Sequence, residues 1–198
     1  MGAFCIDRED KFLPTVKQIA KDFPKLKIVL EHLSTKKAVK LVKELPDNVA
    51  ATLTVHHLLV TLDDVVGGPL MPHLFCKPLA KRDSDRDALL RAALSGNPKF
   101  FLGSDSAPHL KEKKECDCGA AGVYTAPVLL PMLTQIFADH NKLDMLEPFV
   151  SEHGAKFYGL PLNAEKVELL EKSWTVPDQI HGVVPFMAGK KLNWQVVS

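Results

Sequence analysis

Acidic and imidazole side chains follow three short apolar runs in this chain. Glu31-His32 comes after Lys27-Ile28-Val29-Leu30, His56-His57 after the run from Val49 to Val55, and Ser104-Asp105 after Phe100-Phe101-Leu102. His109 stands four residues beyond Asp105. A neutral imidazole and a carboxylate are both ordinary zinc ligands, and a carboxylate beside a metal-bound water can also carry its proton. Metal-assisted hydrolysis is therefore one chemistry open to this set. The other reading needs no metal. A histidine after a strand is commonly a capped or solvated loop residue, His56-His57 could be a buried donor with a surface neighbour, and Asp105 before Ser106 and Pro108 could start a turn. Cys116 and Cys118 form a CxC without the second cysteine pair of the usual zinc spacings, and are expected as loop cysteines. Lys111, Lys113 and Lys114 read as a solvated basic loop, placed where it could help to attract an anionic substrate.

The elements that position these residues can be read from hydrophobic spacing. Leu13, Val16, Ile19, Ala20 and Phe23 make a helical stripe, with Pro14 suited to a first turn and Pro24 ending it. Ser34 or Thr35 caps the next helix, in which Ala38, Leu41, Val42 and Leu45 share a face. Ser84 is a candidate cap for a helix reaching Leu94, with Gly96 just beyond its end. A further helix runs from about Ala126 to His140. The apolar runs at 27–30, 49–55 and 100–102 lack polar alternation and read as strands buried on both faces. Helices of ten or more residues between strands imply parallel pairing with right-handed crossovers. The class is α/β, and the strand ends, where ligands gather in such folds, are where the Glu, His and Asp residues lie.

The chain has 198 residues, 46% hydrophobic and 25% charged, the size and balance of one soluble domain. A formal net charge of +1 argues against a general nucleic-acid or membrane-surface role. No apolar run reaches the length that spans a bilayer. The start, Met1-Gly2-Ala3-Phe4-Cys5, shows no secretory pattern, and Ile6 stands where a myristoylation motif wants Ser or Thr. Four cysteines make no disulfide framework, so the expected setting is the reducing cytoplasm.

Several segments carry a resemblance. Phe101-Leu102-Gly103-Ser104-Asp105-Ser106-Ala107-Pro108-His109 resembles the last-strand motif of dihydroorotases of the bacterial homodimeric type, members of the amidohydrolase superfamily. So do Val29-Leu30-Glu31-His32-Leu33-Ser34-Thr35-Lys36 and Pro72-His73-Leu74-Phe75-Cys76-Lys77-Pro78. Lys156-Phe157-Tyr158-Gly159-Leu160-Pro161, Val184-Pro185-Phe186 and Leu192-Asn193-Trp194 match as well. The resemblance implies a (β/α)8 barrel with two zinc ions that interconverts carbamoyl-aspartate and dihydroorotate in pyrimidine synthesis. It implies that His32 binds one zinc, and that Asp105 binds the other and shuttles the proton of the attacking hydroxide. His109 then binds the substrate carboxylate, while Lys77 and Ala121 present main-chain groups to the pyrimidine ring.

The same resemblance places the family's His-x-His pair, its carbamylated lysine, its fifth-strand histidine and its substrate-clamping arginine and asparagine upstream of this sequence. The expectation is thus one truncated domain over 1–198: the last three βα units of the barrel plus a carboxyl-terminal extension. One ligand per zinc does not hold a catalytic ion, so the isolated chain is expected to be inactive. Its open strand edges call for an amino-terminal half or a second copy, as in a homodimer. The alternatives are a non-catalytic remnant serving as a binding or scaffold subunit, and an unrelated metal-dependent hydrolase on the same barrel.

Overall fold

The computed structural model describes residues 2–197. Helix α1 spans Arg8–Asp22 and is followed by strand β1, Ile28–Leu30. Helix α2, Lys36–Glu44, leads to β2, Val49–Leu53. A short α3, Leu62–Val66, opens the long stretch before α4, Asp83–Ala93, which leads to β3, Phe100–Leu102. The three strands form one parallel sheet in the order β1-β2-β3, with Ala51 opposite Leu30 on one side and Phe100 on the other. The fold is α/β with a parallel sheet, as the alternation of apolar runs and helical stripes predicts.

Burial follows from position in the sheet. All five residues of the central β2 are buried, which is why Val-Ala-Ala-Thr-Leu shows no polar alternation. Strand β1 is only half-buried, so the expectation of two covered faces holds for β2 and not for β1. Beside β1, a groove of about 530 Å³ is lined by Phe12, Leu13, Val16 and Ile19 of α1 and by Ile28, Val29 and Leu30. The far side of β3 is better closed. His153 Nδ1 donates to Phe100 O at 3.2 Å, and the backbone at Gly154 packs on the Phe101 ring.

The helix boundaries correct two expectations. Helix α1 begins at Arg8, with Glu9 and Asp10 in the first turn, where carboxylates favour the helix dipole. Pro14 therefore sits in its interior, not in its first turn. At α4, Ser84 lies inside the helix. Arg82 is the cap position, and its N–H is taken by the Asp85 carboxylate at 3.3 Å. Thr35 does cap α2, its hydroxyl accepting from Ala38 N–H at 3.2 Å.

After β3 come α5, Lys111–Lys114, and α6, Leu129–Asp139, which carries the apolar face of Met132, Leu133, Ile136 and Phe137. A wide turn at Pro148–Glu152 runs into α7, His153–Tyr158. The chain ends in an antiparallel pair, β4, Glu168–Thr175, and β5, Lys191–Val197. Among the described residues no helix is long and apolar enough to cross a membrane.

Candidate functional site

His32 and Asp105 follow β1 and β3, on either side of the β2 residue Thr52. Both adopt left-handed backbone, with φ of 45° and 39°, a conformation that costs a non-glycine residue energy. Thr52 holds the first of them. Its hydroxyl accepts from His32 N–H at 2.7 Å and donates to Glu31 Oε2 at 2.6 Å, while its carbonyl accepts from Leu33 N–H at 3.1 Å. Gly103 makes room for this: a Cβ there would lie 2.6 Å from Thr52 Cβ.

A second clamp sits behind the His32 loop. The Glu9 carboxylate accepts from Ser34 N–H and Oγ–H at 2.9 and 2.6 Å, and from Thr35 N–H and Oγ–H at 2.8 and 2.7 Å. Asp105 is tied through its neighbours. Thr125 Oγ1 donates to Ser104 O at 3.2 Å, and Thr125 N–H donates to Ser106 Oγ at 3.1 Å. Burial raises the Asp105 pKa above the usual carboxylate value, His32 opposes that rise, and Glu31 adds to it. The three groups thus share one electrostatic environment.

The segments holding Lys77, His109 and Ala121 meet beside this pair. His109 Nε2–H donates to Ala121 O at 3.1 Å, and Gly122 N–H donates to Phe75 O, two residues before Lys77, at 2.9 Å. Ala107 N–H donates to Val123 O at 3.0 Å, joining this unit to the Asp105 loop. The Lys77 side chain is exposed, as suits a residue that offers its main chain.

Two expectations for neighbouring residues fail. His56 and His57 are both buried, 2% exposed each, so neither is a surface residue. Lys114 is 3% exposed and no part of a solvated loop; Lys111 and Lys113 are exposed. Cys116 and Cys118 are exposed free thiols.

Donor atoms of His56, His57 and Cys76 lie within 4.8 Å of one another, a span that one cation could bridge. Their bonding speaks against it. His57 Nε2 faces Pro78 O at 3.0 Å and must carry the proton, so Nδ1 accepts from Thr54 Oγ–H at 2.7 Å, and both ring nitrogens are engaged. Burial lowers the His57 pKa to about 4 and raises the Cys76 thiol to about 11, which leaves a neutral trio under the strand ends.

His32 is the better candidate for holding a metal. Its Nδ1 is buried without a hydrogen-bond partner, an orphan that a metal ion would take up, and a carboxylate stands nearby in Asp105. The imidazole and carboxylate donors suit zinc. Thr52 and Glu9 were not singled out from sequence, Glu31 was noted only for its place at a strand end, and Lys114 only as part of a basic loop. Nothing in a lone Thr or Glu signals a role, since each acts through a partner that only the fold supplies.

No family model matches the chain. A dihydroorotase of Shewanella denitrificans is 50% identical over 197 residues, covering 97% of this chain and 57% of that protein. The crystal structure of a dihydroorotase from Campylobacter jejuni superposes with a TM-score of 0.91 at 45% identity, covering all of this chain and 59% of the other. A Saccharomyces cerevisiae dihydroorotase in complex with 5-fluoroorotic acid gives a TM-score of 0.91 at 39% identity, covering 98% and 57%. The chain spans less than two thirds of the length of each of these relatives. In sequence and in structure, it is homologous to the dihydroorotases over that part of their length.

Proposed function

We propose that this chain is the later portion of a dihydroorotase barrel, a zinc-dependent cyclic amide hydrolase that interconverts carbamoyl-aspartate and dihydroorotate in pyrimidine synthesis. The observation that carries the reading is the placement of His32 and Asp105 after the two strands that flank β2, at the same end of one parallel sheet, in a chain half identical to a dihydroorotase. The remaining ligands and the substrate clamp belong to the portion of the relatives that this sequence does not span. That portion is the expected occupant of the apolar groove beside the half-buried β1, within one barrel domain. The whole enzyme is expected to be a cytoplasmic homodimer.

His32 and Asp105 would each hold one zinc, which when bound supplies a nucleophile at neutral pH and polarises the amide carbonyl. Asp105 moves the proton. Its carboxylate accepts the proton of the attacking water as the new C–O bond forms, then delivers it to the ring nitrogen as the C–N bond breaks. His109 has Nε2–H committed to Ala121 O, which leaves Nδ1 as the ring nitrogen free to meet the substrate carboxylate. Main-chain groups at Lys77 and Ala121 orient the pyrimidine ring, where the side chain matters less.

The test is turnover by a barrel assembled from this chain and the missing portion of the Shewanella denitrificans relative. Ring opening of dihydroorotate is expected, with a loss of about 100-fold or more for Asp105→Asn. A folded, zinc-loaded assembly without turnover refutes the proposal and leaves a scaffold role, which Asp105→Ala would not disturb.

A further inference from the structure

Resting on the functional reading above, we propose that Lys114 is the positioning residue of the substrate-binding loops. Its ammonium, set in a cradle of main-chain carbonyls, fixes the segment carrying Lys77 against the segment carrying Ala121 and His109.

The geometry is specific. Lys114 Nζ donates to Phe75 O at 2.9 Å, Ala120 O at 2.7 Å and Gly122 O at 2.6 Å. An ammonium has three protons, and three carbonyls from two separate segments take them. The side chain is buried, where lysine is rare unless paired, and no salt bridge to it is found among the described residues. Carbonyl dipoles alone, with the Phe75 ring 5.9 Å from Nζ, compensate the charge. Burial lowers the Lys114 pKa to about 8, a measure of how costly the placement is. A simple apolar contact would join two loops without that cost. It would not fix the spacing of three carbonyls.

What the cradle fixes is the binding unit. Two of its acceptors, Ala120 O and Gly122 O, flank Ala121, whose own carbonyl holds the His109 ring. The third, Phe75 O, also accepts Gly122 N–H and lies two residues from Lys77. Gly122 has no slack. A Cβ there would lie 2.6 Å from Ala107 Cβ and 3.0 Å from His109 Cδ2. Movement at 120–122 is therefore transmitted to the imidazole proposed to meet the substrate carboxylate. Lys114 touches no reacting atom and acts through these main-chain groups.

The experiment compares the assembled barrel with its Lys114→Met and Lys114→Arg variants. KM for dihydroorotate, kcat, the Kd of 5-fluoroorotate by calorimetry, and thermal midpoints are measured together. Lys114→Met, which keeps chain length and removes the donors, is expected to raise KM and Kd about 10- to 100-fold, the scale of losing a group that orients a ligand-bearing one. Its kcat stays within a few-fold, because the proton carrier Asp105 lies outside the cradle. Lys114→Arg keeps the charge but not the convergent donors, so its KM rises less and in the same direction. It also serves as the test if Lys114→Met does not fold. A purely structural lysine gives the opposite split: a lower midpoint and less active protein, with KM and Kd unchanged, which overturns the proposal. Wild-type assembly that neither turns over dihydroorotate nor binds 5-fluoroorotate overturns the functional reading first, and this inference with it.

Discussion

Protonation of His57 should set the acid limit of the fold. Burial holds its folded pKa at about 4 against an ordinary value of 6.5, and the Nε2–H bond to Pro78 O opposes that shift only in part. Between those two values the unfolded chain binds a proton that the folded chain does not. Stability therefore falls as pH drops through 6.5, and the loss stops growing below about 4, where the folded ring also titrates. At about 1.36 kcal/mol per pH unit, the full loss is about 3 kcal/mol, and about 2 kcal/mol is already gone at pH 5. With a urea m-value of about 2 kcal/mol/M, the midpoint moves down by about 1 M between pH 7.5 and pH 5. Buried His56, its pKa lowered by burial and by His57 and His32, pushes in the same direction.

The assay is urea unfolding at half-unit pH steps, with His57→Gln beside the wild type. Glutamine reaches Pro78 O with a donor but does not titrate in this range. The variant is expected to be less stable at pH 7.5, since it loses the bond from Thr54, and to show a flatter slope below pH 6.5. The difference between the two slopes isolates His57 from the carboxylates that titrate alongside it. Equal slopes in wild type and variant would refute the assignment of the acid sensitivity to this ring.

Two further substitutions test how the site is held. Gly103→Ala forces a Cβ to 2.6 Å from Thr52 Cβ and should cost about 1–3 kcal/mol, lowering the melting temperature by several degrees; an unchanged melting temperature would show that Thr52 can move aside freely. Glu9→Ala removes the acceptor of four hydrogen bonds from Ser34 and Thr35 and should cost about 2–5 kcal/mol, with faster hydrogen exchange confined to the Ser34 and Thr35 amides; exchange rates like those of the wild type would rule out Glu9 as the anchor of the His32 loop.

The strands and their order were legible because buried parallel strands leave an unmistakable trace: apolar runs without alternation, each ended by polar residues. Phe100–Leu102 and the caps around Thr35 followed directly. Resemblance, not periodicity, pointed to Lys77, His109 and Ala121, and the fold brings their segments into contact. Lys114 was misread because a Lys-Glu-Lys-Lys run looks solvated, and no local pattern shows three carbonyls arriving from positions 75, 120 and 122. His57 was misread for the same reason, its partners being a hydroxyl three residues back and a carbonyl at Pro78. The antiparallel pair β4–β5 left no clear trace, since β4 is mostly exposed and its period is broken by a shift in register between Glu171 and Trp174.

On the proposed reading, these contacts divide the work between this chain and the rest of a barrel. Among the described residues, Thr52 and Glu9 hold the His32 loop, Thr125 the residues on either side of Asp105, and Lys114 the binding loops. The groups at these anchors are mostly buried and find their hydrogen-bond partners inside the chain. The exceptions are instructive. The His32 and His56 Nδ1 atoms are buried without hydrogen-bond partners among the described residues. On the proposed reading, the unfilled His32 nitrogen is where a bound metal would complete the site. If the proposal holds, what the rest of the barrel must add is further ligands, and not support for the loops behind them.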